Sequence, residues 1–194
     1  MTVDSAGNNW HHSRSETALG TEVGLAQVRK GRHMADLTDV GEELVVFLIG
    51  MRANKPWKVA QWWPVFTAMP TMLRYLQQHP EKGLLGYQQA LLPAPILVQY
   101  WRSFADLERF ARDQDVPHLE AWRRFNRRVG ASGDVGIWHE TYRVRRDAIE
   151  TIYGNMPPTG LAAALGLVPI PRGRDSAAAR IGARSVDEPA LPAY

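Results

Sequence analysis

Hydrophobic residues follow two different periods between residues 43 and 144. Residues 43–51 carry apolar side chains at both parities, which is typical of a β-strand covered on both faces. Helical spacing follows, with Pro56 expected in the first turn and with Pro64 and Pro70 expected to kink or divide the helix. The apolar stripe of this helix comprises Trp57, Trp62, Phe66, Met69, Leu73 and Leu76. The pattern therefore predicts a strand followed by a long helix.

The second half of this region repeats the alternation. Residues 84–92 and 96–101 predict a hairpin of two strands, and Ser103 is suited to cap a helix that breaks at residues 115–117 and resumes over 118–129. Residues 135–144 predict a fourth strand, after which 149–153 and 159–165 predict a short strand and a short helix. The order β-α-β-β-α-β predicts an α+β fold of the ferredoxin-like type.

The two ends of the chain differ in composition from its centre. Residues 1–39 are rich in small polar residues, and we expect an N-terminal arm in which Leu25, Val28 and Met34 could contact a core. Residues 171–194 alternate alanine, arginine, serine and proline, which favours a C-terminal tail. The predicted folded domain is therefore 40–170, and its length fits one domain.

Composition excludes several functions. The chain has no cysteine, which excludes disulfides and thiolate chemistry. Lysine and arginine number 23 against 20 acidic residues, a surplus too small to indicate a nucleic-acid partner. No apolar run approaches the roughly 20 residues of a membrane span, and no signal-peptide pattern is present, so we expect a cytoplasmic protein without a membrane partner.

Six sequence blocks in a fixed order resemble one known family. They are FLIGMRANKPW, GLLGYQ, VQYWRSF, LERFARDQDVPHLEAWRRFN, GIWHETY and IYGNMPPTGL, within residues 43–165. Together they resemble the fungal fumagillin-pathway type of antibiotic-biosynthesis-monooxygenase-like proteins. The resemblance implies a ferredoxin-like sheet that forms a dimeric α/β barrel. Relatives that share this barrel include cofactor-independent oxygenases, haem-binding oxygenases, aldoxime dehydratases, isomerases and cyclases, so the fold alone does not select a reaction.

The fourth predicted strand holds the first candidate site residues. Alternation places His139 on one face with Ile137 and Thr141, and places Glu140 and Tyr142 on the other face with Trp138. His139 could act as a general base or as a haem ligand, or it could be a hydrogen-bonded core residue. Tyr142 is a candidate donor to a developing negative charge, and Glu140 is expected at a dimer contact.

The predicted helix over 118–129 supplies further candidates. His118, Trp122 and Asn126 share its apolar face, where polar groups need partners or a pocket. His118 is a candidate base or haem ligand, with a helix-capping role as the alternative. Asn126 is a candidate hydrogen-bond donor, and Trp122 is a candidate substrate contact.

Four other residues are expected at the substrate. Trp101 and Arg102 end the third strand, where Arg102 could bind an acidic group or pair with Asp106 or Glu140. Trp62 and Phe66, with Trp57 and Trp63 nearby, are expected to form a deep apolar wall.

These residues support three hypotheses. The first is a small-molecule tailoring enzyme of secondary metabolism, a monooxygenase that acts on a largely apolar substrate with no metal or other cofactor. The second is a haem-binding oxygenase or a dehydratase acting on an N–O bond, with His118 or His139 as the axial ligand. The third is a non-catalytic dimer that binds a hydrophobic ligand.

A homodimer is expected in each case, because one sheet face would otherwise expose apolar residues. The predicted interface includes Val46 or Phe47, Tyr100 or Trp101, and Trp138.

Overall fold

The computed structural model describes residues 27–91, 94–113, 123, 125–127 and 129–182, and these residues form two antiparallel sheets that pack with helices. In chain order the strands are β1 (Arg29–Ala35), β2 (Glu43–Ala53), β3 (Leu84–Ala90), β4 (Ile96–Trp101), β5 (Val135–Arg145), β6 (Tyr153–Met156) and β7 (Leu167–Pro169). The helices are α1 (Val59–Gln78), α2 (Phe104–Arg112), α3 (Leu161–Leu165) and α4 (Ala177–Arg180), with 3₁₀ turns at Pro80–Lys82, Gly130–Ser132 and Arg146–Ala148.

The central sheet has the order β3-β4-β2-β5, and every neighbouring pair is antiparallel. Helix α1 connects β2 to β3, and α2 begins the connection from β4 to β5. This arrangement confirms the predicted ferredoxin-like α+β fold. The second half of the predicted helix pair, including His118, lies mostly outside the described residues.

One face of the central sheet, called the inner face here, packs against α1 and α2. Val45 and Trp101 are paired in register and fully buried beneath Leu76, Leu107 and Phe110. Alternation then places Phe47, Ile49 and Met51 on the same face. The strand pattern of β2 is thus explained by burial on both sides.

The opposite face, called the outer face here, is partly covered by the chain's own second sheet, β6-β1-β7, and by α3. Val46 and Tyr100 pack in this second layer against buried Leu161 and Ala162. The expectation that these two residues would face water unless a second subunit covered them is therefore wrong. Strand β1 comes from the segment predicted as an N-terminal arm, and β1 and β7 were not predicted.

Helix α1 differs from its prediction at the N-terminus. It begins at Val59, so Pro56 precedes the helix, and it continues through both Pro64 and Pro70. Trp57 is 72% exposed and Trp63 is 51% exposed, so neither is part of a deep apolar wall. Ser103, in contrast, caps α2 as predicted, because its hydroxyl accepts the backbone N–H of Asp106 at 3.1 Å.

The last described residues are held against the folded domain by an arginine of α4. Arg180 has a side chain only 5% exposed, and its Nε donates to Glu150 Oε1 at 2.6 Å. A second nitrogen of Arg180 donates to the backbone carbonyl of Asp175 at 2.6 Å. Part of the segment predicted as a tail is therefore docked, while residues 183–194 lie outside the described part of the chain.

Candidate functional site

A cavity of about 1320 Å³ lies between the inner face of the central sheet and the helices. Most of its wall is apolar, which suits a largely apolar ligand. The sheet contributes Phe47, Ile49, Met51, Leu97, Ile137, His139 and Thr141, and α1 contributes Val65, Phe66, Ala68, Met69 and Met72. Leu107, Ala111, Phe125 and Val129 close the side nearest to α2 and the residues before β5.

His139 is placed in this cavity by strand alternation. It pairs in register with Ile49, and both side chains point to the inner face. Its ring lies 5.5 Å from the ring of Phe47, centroid to centroid, and Ile137 and Thr141 flank it on the same strand. Among the described residues of the sheet that line the cavity, His139 is the one that carries an imidazole, a side chain that can serve as a base or as a metal ligand.

Several polar groups of the cavity wall are already engaged. The hydroxyl of Thr67 donates to the carbonyl of Trp63 at 3.0 Å, which is a bond within α1. Glu108 pairs with Arg112 one helical turn away at 2.7 Å. The Thr67 and Glu108 side chains are therefore each bonded within their own helix.

Tyr142 is separated from His139 by the sheet. Its side chain lies on the outer face, where it is 49% exposed and donates a hydrogen bond to Glu140 Oε2 at 2.6 Å. This bond to a carboxylate raises the pKa of the Tyr142 hydroxyl. The structure thus does not bring Tyr142 to the cavity that holds His139.

The end of β4 has a structural role in the described geometry. Trp101 is fully buried, and its Nε1 donates to Gln99 Oε1 at 2.8 Å. Arg102 donates to the carbonyl of Pro80 at 3.2 Å and pairs with neither of its two predicted partners. Asp106, one of those partners, pairs instead with Arg109 at 2.8 Å.

The remaining predicted site residues are divided between the cavity and other environments. Phe66 lines the cavity. Trp62 packs beside it, but its Nε1 donates to the carbonyl of Pro56 at 2.9 Å, and it is not on the cavity wall. Asn126 is exposed and does not line the cavity, and His118 and Trp122 lie outside the described residues.

Sequence reasoning missed the contribution of methionine and of α2. Met51, Met69 and Met72 line the cavity and give it a flexible, polarisable wall. The helical spacing of Met69 indicated that it lies on the buried face of α1. Met51 lies in the apolar pattern of β2, but that pattern does not indicate which side chains Met51 contacts. Leu107 of α2 has an apolar-stripe signal that does not distinguish a core from a cavity.

Asp134 fixes the end of the site where β5 begins. Its side chain is 6% exposed, accepts a hydrogen bond from Lys58 Nζ at 2.8 Å and lies 2.7 Å from Lys55 Nζ. Its backbone carbonyl accepts the N–H of Asn54 at 2.9 Å. Hydrogen bonds from the two lysines hold the pKa of Asp134 below its usual value. This junction joins the loop after β2 to the strand that carries His139.

Two further searches bear on function. No group of three or more histidine and acidic side chains suited to a metal ion occurs in the part of the chain that the structure describes. None of the helices formed by the described residues is long and apolar enough to cross a membrane.

Residues 44–161 match the model of a protein family described as monooxygenase af470-like. The chain belongs to this family. The matched segment runs from the second residue of β2 to the first residue of α3, so it contains the central sheet apart from Glu43, together with the described residues of the cavity wall. A search of curated proteins finds no significant match.

Two solved structures of aldoxime dehydratases share the fold. One of them is a complex with butyraldoxime. It is 17% identical with a TM-score of 0.55, and the alignment covers 70% of this chain and 40% of the dehydratase chain. The other is 18% identical with a TM-score of 0.56, and the alignment covers 73% of this chain and 43% of the dehydratase chain. This chain therefore spans less than half the length of these dehydratases, and the likeness concerns the fold alone.

Proposed function

We propose that this protein is a monooxygenase that oxidises a small, largely apolar substrate in the cavity between the sheet and the helices, without metal. The observation that carries the proposal is the position of His139, a single imidazole on the sheet wall of an apolar cavity in a monooxygenase-like family. The size of the cavity, about 1320 Å³, suits a substrate larger than a simple fragment.

The proposed chemistry uses His139 as a general base. The imidazole removes a proton from an acidic C–H or O–H bond of the substrate, and the apolar wall packs against the frame of the resulting anion. The electron-rich anion reduces dioxygen, so that a CH₂ group becomes a carbonyl while the second oxygen atom leaves as water. The four electrons come from the substrate, and no external reductant is needed.

The test is oxygen uptake by metal-free protein with substrates that have an acidic C–H or phenolic O–H on an apolar frame. We expect His139→Gln to lower kcat by about 100-fold or more, since a positioned general base contributes roughly 10²–10⁴-fold. His79→Gln is the matched control, because His79 lies at the end of α1 beside Glu81 and away from the cavity wall. Uptake that disappears on removal of trace metal or haem contradicts the proposal.

The same cavity supports haem binding as a second candidate function, because one imidazole faces a large apolar space. His139 is the described residue that would hold the haem iron. Bound haem would supply iron for oxygen or N–O bond chemistry. A Soret band after expression with haem, lost in His139→Ala and kept in His79→Ala, supports this candidate, and failure to bind haem stoichiometrically refutes it.

We further infer that the protein forms a homodimer through the part of the outer face that its own second sheet leaves open. Trp138 is 41% exposed and Tyr142 is 49% exposed there, on the edge strand β5. Two exposed aromatic side chains on one face of a strand favour burial of that face against a second copy of the chain. Light scattering at micromolar concentration should give twice the 21.8 kDa of the chain, and a stable monomer would contradict the inference.

A further inference from the structure

A second cavity lies on the outer face of the central sheet, between that sheet and the C-terminal segment that covers it. Its volume is about 380 Å³, within the range of small-molecule sites. Apolar side chains form most of its wall, namely Leu44, Val46, Val144, Ile149 and Leu161. The sheet separates this cavity from the one that holds His139, so it is an independent site within a single chain.

Tyr100 presents a hydroxyl with no hydrogen-bond partner among the described residues. The side chain is half-buried, and a phenol in partly desolvated surroundings needs an acceptor. Gly160 keeps space free beside it, because a Cβ at that position would lie 3.3 Å from the Tyr100 hydroxyl. The φ of Gly160 is +58°, a conformation that also favours glycine.

Tyr153 provides a second phenol in the same wall. Its hydroxyl accepts the backbone N–H of Ala162 at 3.2 Å, which leaves the phenolic proton available for donation. Burial raises the pKa of both Tyr100 and Tyr153, so both remain protonated donors at neutral pH.

The other polar groups of this wall have partners within the chain. The hydroxyl of Thr151 accepts the N–H of Ala35 at 2.9 Å and, like that of Tyr153, keeps its proton for donation, whereas the hydroxyl of Thr159 donates to the carbonyl of Pro157 at 2.9 Å. Glu150 is paired with Arg180 at 2.6 Å, so that arginine is not available for an anionic ligand. The chemistry of the wall is thus that of a hydrogen-bond donor in an apolar pocket.

We propose that this outer cavity binds a small neutral molecule with an apolar body and a carbonyl oxygen, and that the Tyr100 hydroxyl donates a hydrogen bond to that oxygen. An anion would find no cationic side chain among the described residues that line this cavity, and a pure hydrocarbon would leave the Tyr100 hydroxyl without a partner. The pocket therefore selects a ketone or ester over a carboxylate or an alkane.

The test uses acetophenone as the neutral carbonyl probe, with ethylbenzene and benzoate as comparisons, on full-length protein labelled at its methyl groups. We expect acetophenone to shift the NMR signals of Val46, Val144 and Leu161, and to bind more tightly than either comparison. Tyr100→Phe should weaken acetophenone binding by about 3- to 10-fold, which is the effect of one neutral hydrogen bond, and should leave ethylbenzene binding unchanged.

Tyr87→Phe is the matched control, because Tyr87 lies on β3, and its hydroxyl accepts a hydrogen bond from Gln77 Nε2 of α1 at 3.2 Å, away from this cavity. That variant should bind acetophenone like the unaltered protein. Equal affinity of the unaltered protein for acetophenone and ethylbenzene, no effect of Tyr100→Phe, or shifts confined to inner-cavity methyls such as those of Val65 would each overturn the proposal.

Discussion

Strand β3 of the central sheet and helix α3 of the covering layer approach each other closely at Gly86, and this contact gives the sharpest stability prediction. Gly86 lies on β3 directly beneath Ala164 of α3. A Cβ added at Gly86 would lie 2.6 Å from the Ala164 Cβ and 3.0 Å from its Cα. Since carbon atoms pack best at about 3.5–4.0 Å, α3 would have to retreat by roughly 1 Å.

The magnitude follows from what moves with α3. Leu161 is 6% exposed and Ala162 is 1% exposed, so a shift of the helix disturbs the packing of the second layer. Overpacking of this kind costs about 1–3 kcal/mol, and relief of glycine's backbone entropy returns roughly 0.5–1 kcal/mol. We therefore expect Gly86→Ala to lower the free energy of unfolding by about 1–2 kcal/mol, or Tm by about 2–8 °C.

The assay is urea denaturation followed by tryptophan fluorescence, together with thermal denaturation. Gly41→Ala is the matched control, because a Cβ at Gly41 meets no atom within 4 Å. Ala164→Gly removes the methyl group that causes the clash, so the double variant should lose less stability than the sum of the two single variants. If Gly86→Ala is as stable as the unaltered protein, or if the two changes are simply additive, α3 does not pack on β3 as described.

Three further predictions concern the dimer and the response to pH. Trp138→Asp, which places a charge on the open part of the outer face, should convert the dimer to a monomer in light scattering, whereas a persistent dimer would place the interface elsewhere. Asp134→Asn should lower Tm at pH 7, because Lys55 and Lys58 lose their carboxylate partner. Since the folded pKa of Asp134 is depressed, its stabilisation is present above the ordinary carboxyl pKa of about 3.9 and is lost as pH falls through the folded value, so the variant and the parent should converge in acid. The pKa values of Tyr100 and Tyr153 are raised in the folded protein, so above about pH 10 the phenols ionise first in the unfolded chain and the stability of the fold falls. Tyr100→Phe should reduce this loss of stability, which is measured by thermal denaturation over a series of alkaline pH values.

Local pattern was sufficient wherever the prediction depends only on alternation or spacing within one element. The alternation of residues 135–144 predicted that Ile137, His139 and Thr141 share a face and that Trp138 and Tyr142 take the other, and the register with β2 confirms it. The period of two leaves no other arrangement once the strand is formed. Ser103 was likewise predictable, because a helix cap depends on residues only three positions apart.

Pairing between distant segments was not predictable in the same way. Strand β1 pairs with β6 and β7, more than a hundred residues later in the chain, and β7 is three residues long. A strand that short has no period to detect, and its stability comes from the neighbour that accepts its hydrogen bonds.

The sequence alone therefore determined the order of elements, the ferredoxin-like topology and the face on which His139 lies, because each depends on spacing within one element or on the succession of elements. Only the tertiary structure decided that the chain's own second sheet covers Val46 and Tyr100 and that Trp57 remains outside the core. It also decided that the cavities lie on opposite faces of one sheet. The physical reason is that burial is a property of the surfaces that meet, and those surfaces belong to segments far apart in sequence.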